Sequence, residues 1–263
     1  MNAPEPLLPL IDIQSQRDER RIAIDAVGVH GLRHPLTIRS GSASQPTVAA
    51  VTMTVGLDAR TRGTHMSRFV ELLETQAAPV DQPRFAALVA QMLDRLEADS
   101  GAIDLRFPWF VTKRAPVSGV RSRLDHDVHW HGSLRDGRYV FRMGVRVPVT
   151  SLCPCSRAIS DYGAHNQRSL VAIEAEPCGE MPIDDLIAVA ERHASCEVYG
   201  LLKRPDEKFV TERAYDNPRF VEDLVRDIAA DLDRDRRVAR YRVEAENFES
   251  IHNHSAFARI VRA

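Results

Sequence analysis

A chain of 263 residues, 44% hydrophobic and 27% charged, can bury one large core or two small ones. Its formal net charge of −2 gives no general attraction for polyanions. Nucleic acid is therefore not an expected partner, and a phosphate-bearing ligand needs a local basic pocket. No apolar run approaches the roughly 20 residues of a membrane span, so no membrane partner is expected either. The proline-broken N-terminus lacks the basic start of a signal peptide. Four cysteines, two of them separated only by Pro154, suit metal or catalytic thiols in a reducing compartment better than a disulfide framework. A soluble, cytoplasmic protein is expected.

Residues 1–20 read as an irregular, partly charged arm. A weakly patterned strand falls within 21–39, and residues 47–57 alternate apolar and polar positions with β-branched enrichment, a strand signature. Helical spacing follows over 64–74 (Phe69, Leu72, Leu73) and 82–99 (Phe85, Leu88, Met92, Leu96). Strand patterning returns at 102–112 and 121–132. The second half predicts strands at 139–149 and 170–175 and helices at 183–193 and 218–232, with Asn217 as N-cap and Pro218 in the first turn. Strands at 237–245 and 256–261 close the chain. The order strand-strand-helix-helix-strand-strand thus runs twice, over 21–135 and 136–263, without sequence identity between the halves. Strand runs bracketing helix pairs predict an α+β architecture of antiparallel sheets with helices on one face.

Chemistry concentrates at 151–169, Ser-Leu-Cys-Pro-Cys-Ser-Arg-Ala-Ile-Ser-Asp-Tyr-Gly-Ala-His-Asn-Gln-Arg-Ser, where half the cysteines sit in a polar, turn-rich setting. Thiol and imidazole are ligands for zinc and similar borderline cations. Pro154 favours a turn that separates Cys153 from Cys155; two inert buried thiols are the plainer reading. His165 follows in the same segment, and with Cys153 it makes two donors of a four-donor shell. Carboxylates for a third place are Asp206, Glu207 and Glu212, in what reads as a charged loop at 205–213. Each is otherwise a solvated side chain. Residues 247–255 add Glu249, His252 and His254; the two histidines share a side if the segment is extended, as ligands, proton-transfer groups or plain edge-strand residues. Asp125, Asp127, His129 and His131 read as the polar face of a strand. Residues 63–71 open the first helix, where free N–H groups and Arg68 suit an anion or simply cap a packed helix.

Four of these stretches together resemble the GTP cyclohydrolase IB family, the prokaryotic folate-pathway enzyme. They are 151–169, Gly-Thr-His-Met-Ser-Arg-Phe-Val-Glu at 63–71, Arg-Pro-Asp-Glu-Lys-Phe-Val-Thr-Glu at 204–212, and Asp-Asn-Pro-Arg-Phe-Val-Glu-Asp at 216–223. The resemblance extends from 22 to 254. It implies a tunnelling fold with two such modules per chain, and a homotetramer with active sites at subunit interfaces. The implied reaction converts GTP and water to 7,8-dihydroneopterin triphosphate and formate with a divalent metal, manganese, zinc or ferrous iron. By resemblance, Cys153, His165 and Glu207 hold the metal, and Cys153, His252 and His254 are catalytic. Glu222 anchors the purine, and Arg68, Lys203 and Arg204, with Arg168, are offered to the triphosphate. Two rival readings keep the thiols: a tunnelling-fold enzyme using Cys153 as a covalent nucleophile with NADPH, and a non-catalytic protein with a structural metal.

Overall fold

Alternation with a period of two runs through most of the strands and decides which face of the sheet is buried. In the computed structural model, which describes residues 12, 14 and 16–263, Ile103, Leu105, Phe107 and Trp109 are buried while Asp104, Arg106 and Phe110 between and beyond them are not. The elements in order are β1 (Ile24–Ser40), β2 (Ala43–Leu57), α1 (Met66–Glu74), α2 (Gln82–Leu96), β3 (Ser100–Arg114), β4 (Arg121–Arg135) and β5 (Arg138–Leu152). There follow α3 (Pro154–Ile159), β6 (Asn166–Pro177), α4 (Ile183–His193), β7 (Cys196–Glu197), α5 (Arg204–Asp216), α6 (Val221–Arg234), β8 (Val238–Asn247) and β9 (Ala256–Arg262). The expected arm at 1–20 lies largely outside the described residues.

The strands form one antiparallel sheet in the order β1-β2-β3-β4-β5-β6-β8-β9, with the short β7 beside β5. It crosses the midpoint of the chain without a break: Asp136 and Gly137, both at positive φ, turn β4 into β5, and the ladder starts at Arg135↔Arg138. Helices cover one face. In α6 the residues Val221, Leu224, Val225, Ile228, Ala229 and Leu232 are buried, the apolar stripe of an amphipathic helix. Beneath α2, Trp130 of β4 meets Phe85, Phe107 and Phe141 with ring centroids 5.7, 5.6 and 5.7 Å away. Edge-to-face contacts of this kind add about 1 kcal/mol each to the burial itself. The two halves are also tied across the core, by Lys113 Nζ to Glu191 of α4 at 2.7 Å and by the Trp109 indole N–H donating to Asp184 at 2.7 Å.

Two expectations are corrected here. The charged stretch at 205–213 is not a loop but most of helix α5. It lacks an apolar stripe, burying only Asp206 and Ala214, so periodicity gave no signal. Its local signals are Pro205 in the first turn and an acidic residue at the third position, both favourable helix starts. Asn217 does not cap α6; it ends α5, and its side-chain amide donates to the carbonyls of Ala194 and Ser195 at 2.9 and 3.3 Å. The last helix starts at Val221 with Phe220 in the cap position.

Candidate active site

Four hairpin connections gather at one end of the sheet: 41–42, 115–120, 153–165 and 248–255. The third and fourth become neighbours because β6 pairs with β8, with Ser169 opposite Asn247. Where β5 leaves the sheet, Pro154 starts the short helix α3, and Cys153 sits in its cap position with the Ser156 N–H directed at its sulfur, 3.5 Å away. The Cys153 N–H in turn donates to the carbonyl of His165 at 3.3 Å, so the ends of this loop are pinned together.

His165 is held from the neighbouring loop. Its Nδ1 is hydrogen-bonded to Ser250 Oγ at 3.1 Å and its Nε2 lies 3.8 Å from Glu249. Gln167 donates weakly to Glu249, at 3.5 Å, and to Ser151 Oγ at 3.2 Å. Below it Ser151 meets Ser169 at 2.6 Å, and Ser169 donates to Asn247 at 2.7 Å. This buried polar chain fixes the floor of the site, since unpaired polar groups there would be costly. The rings of His252 and His254 stack at 5.1 Å with 18° between planes. They do so on a bent loop between β8 and β9, so their shared side does not come from strand alternation.

A cavity of about 430 Å³ brings Cys153, His165, Glu222, Glu249, His252 and His254 to one wall-to-wall space. Cys155 also lines it, from the exposed side of α3. Arg219 and Phe220 complete one side. Sequence reasoning did not single out Arg219, whose guanidinium is braced by Asp227 at 2.8 Å and Asn217 at 3.2 Å. Nor did it find the Gln167–Ser151–Ser169 chain, whose only mark is small polar residues at inward strand positions.

Other expected site residues stand elsewhere. Lys203, Arg204 and Glu207 are exposed at the start of α5 and do not line this cavity. Arg68 lies on α1 beside a separate hollow of about 320 Å³, donating to the Arg95 carbonyl at 2.9 Å with Glu97 3.5 Å away. Arg168 is exposed on β6. Asp206, a candidate donor from its sequence position, is fully buried and committed to other bonds. Burial alone would raise its pKa, but hydrogen bonds from Ser118, Lys203 and Val117 hold it well below the usual carboxylate range. His129 and His131 form the polar strand face expected, both bonded to Asp104 at 2.7 and 3.1 Å.

A larger hollow of about 510 Å³ lies on the helix-free face of the sheet, among Arg106, Asp127, His129, Arg146, Arg242 and Glu244. It holds no thiol, and its charges answer one another, as in Arg242 with Glu244 at 3.7 Å. The smaller cavity is the chemical one. Thiol, imidazole and carboxylate in a single cavity suit a borderline divalent cation. Among the described residues, however, no three His, Cys, Asp or Glu side chains of one chain stand as a ready-made cage.

In fold the chain is a uricase-like α+β protein. It matches the uricase of Arthrobacter globiformis with a TM-score of 0.52 at 8% identity, over 90% of this chain and 92% of that one. It matches a hyperthermostable mutant of the Bacillus sp. TB-90 urate oxidase with a TM-score of 0.53 at 10% identity, over 91% and 98%. Such identities speak for the fold alone. The family comes from sequence: residues 10–258 match the profile described as type I GTP cyclohydrolase folE2. Proteins named GTP cyclohydrolase FolE2 are similar throughout. The one from Paraburkholderia phymatum is 58% identical over 98% of this chain and 97% of its own, and that from Burkholderia multivorans 57% over 100% and 98%. This chain belongs to the type I GTP cyclohydrolase folE2 family.

Proposed function

We propose that this protein is a GTP cyclohydrolase I that converts GTP and water to 7,8-dihydroneopterin triphosphate and formate, the first step of tetrahydrofolate biosynthesis. The observation that carries the reading is the meeting of Cys153, His165, Glu222 and the His252–His254 pair in one cavity of a chain of this family. Glu222, in the first turn of α6, accepts hydrogen bonds from N1–H and the 2-amino group of guanine. Adenine offers no such pair of donors, so the carboxylate also selects the base. Ring opening needs a water at C8 and a proton at N7. His252 and His254 supply and relay that proton, one ring donating while its stacked neighbour accepts.

Cys153 and His165 would hold a divalent cation (manganese, zinc or ferrous iron), with Glu207 as the third donor. Bound there, the cation makes water nucleophilic near neutral pH. The mixed thiolate, imidazole and carboxylate set is hard enough to admit all three metals. Glu249 lines the cavity and Glu207 does not, so the two carboxylates are told apart by metal titration: Glu207→Gln weakens manganese binding, and Glu249→Gln acts through the orientation of His165.

The architecture is a tunnelling fold of two modules, 21–135 and 136–263, after an arm at 1–20, assembled as a homotetramer with active sites at subunit interfaces. Large apolar side chains exposed near the cavity support shared sites: Ile159 and Ile251 on its lining are 84% and 64% exposed, and Tyr162 on the same loop is fully so. A patch of this kind on a single chain marks an association surface. Arg68, Lys203, Arg204 and Arg168 serve the triphosphate in the assembled form. The four free thiols suit the reducing cytoplasm. No helix among the described residues is long and apolar enough to cross a membrane.

The test is anaerobic incubation of metal-free protein with GTP and each of the three metals, measuring formate and, after oxidation, neopterin fluorescence. Equal yields of both, dependent on added metal, are expected. Metal-loaded, reduced protein that leaves GTP intact overturns the reading.

A further inference from the structure

The buried carboxylate of Asp206 accepts four hydrogen bonds outside the cavity. Its Oδ1 accepts from the N–H groups of Val117 and Ser118, both at 2.8 Å. Its Oδ2 accepts from Ser118 Oγ at 2.6 Å and from the Lys203 N–H at 2.8 Å. One side chain therefore joins the first turn of α5 to the 115–120 hairpin tip, which is itself closed by Ala115 and Val120 at 2.9 Å. Helix α5 has almost no apolar face to hold it. Apart from Asp206, its visible anchors lie further along: Arg213 with Glu197 at 3.5 Å, and Tyr215 beneath Arg157 at 4.7 Å.

Around this buried post stand the exposed Lys203 and Arg204. The charges further along the helix are paired, Lys208 with Glu212 and Arg213 with Glu197. Among the described residues Lys203 and Arg204 make no ion pair. Two long, unpaired cations bind a polyanion well only if the backbone beneath them is already fixed; otherwise ordering it consumes the binding energy.

We infer that Asp206 is a positioning residue for triphosphate recognition, locking the first turn of α5 to the 115–120 tip so that Lys203 and Arg204 are presented as a preorganised phosphate-binding pair. This rests on the GTP reading above. The hairpin tip of the chain's first half, which carries no chemistry, thereby serves a site built by the second.

The test is Asp206→Asn, which keeps an oxygen for Val117 and Ser118 but sets an amide N–H₂ against the Lys203 N–H. With metal saturating, GTP KM should rise about tenfold, and hydrogen exchange at 203–207 should quicken. Inhibition by inorganic tripolyphosphate should weaken in parallel with KM, while inhibition by guanosine stays within about twofold. An unchanged KM, or equal weakening of both inhibitors, overturns the proposal and leaves Asp206 a fold residue only. Should the variant not fold, Ser118→Ala removes the Oγ bond to Asp206 together with the weaker one accepted from the Val120 N–H at 3.3 Å; about a threefold rise for tripolyphosphate alone supports the inference, and none defeats it. If wild-type protein releases no formate from GTP, the cyclohydrolase reading fails separately. Calorimetric titration of wild type and variant with tripolyphosphate still decides for or against Asp206.

Discussion

In the first half of the chain the hairpins close at 41–42 and 115–120; in the second the corresponding tips run over 153–165 and 248–255. The second half adds α3, β7 and a third long helix to the strand and helix order of the first, yet all four tips project from the same end of one sheet. The short tips are turn chemistry: Gly41 and Gly119 sit at φ 55° and 70°, a conformation that suits glycine. The long tips hold Cys153, His165, Glu249, His252 and His254. A regular ladder constrains residues within strands by pairing and burial, whereas a tip can lengthen without disturbing the register below it. Chemistry accordingly collects where the sheet leaves the sequence free, and the opposite half contributes support.

This contrast can be broken most directly at Cys153. Cys153→Ala should lower GTP turnover by at least about 1000-fold and strip bound metal, with the thermal midpoint little changed. Formate assay, metal content and a melting curve read all three, and a metal-replete active variant would remove the chemical distinction between the halves. Glu222→Gln should cost about 100-fold in kcat/KM, because the amide cannot accept from both guanine donors. A comparable loss with a nucleotide lacking the 2-amino group would show that the carboxylate does not read that group.

The join between the halves allows the opposite experiment, a loss of stability without a loss of chemistry. Lys113→Met strands Glu191, whose pKa burial already pushes up against the pull of Lys113. Removing one partner of such a buried pair costs about 3 kcal/mol. Denaturant unfolding measures it, and kcat per folded molecule should stay unchanged. Acid sensitivity sharpens the picture within the second half. Burial alone would raise the pKa of Asp231, but hydrogen bonds from His193 and Arg234 bring it down to about 2. A depressed carboxylate contributes stability above its unfolded pKa and loses it as pH falls from roughly 4 toward 2. Asp231→Asn should flatten the stability profile in that window. The smallest effect is expected at Arg68, already bonded to Arg95 and Glu97: Arg68→Ala should raise GTP KM by only about threefold. A larger rise would give the first half a direct share in the site.

Amphipathic elements were legible because burial writes a period into them. The helix expected at 183–193 coincides with α4, and the alternation at 102–112 lies within β3. Helix α5 escaped because nothing apolar repeats along it; the buried, capping carboxylate of Asp206 holds it instead. Asn217 was misread for a related reason, since an Asn-Pro pair marks a helix stop as readily as a start. At the site, the Cys–His loop was visible as a local cluster, while Arg219 and the polar chain beneath Gln167 have no local signature.

The residues themselves determined the strands, most helices, the family and the chemical types available, because these depend on side-chain identity and near-neighbour spacing. Only the folded chain decided which of those groups meet. His165 reaches Ser250 and Glu249 because β6 lies beside β8, and Glu222 joins them because α6 packs its apolar stripe onto the sheet. Pairing between strands nearly eighty residues apart is a property of the closed ladder and the shared core, and no short window of sequence contains it.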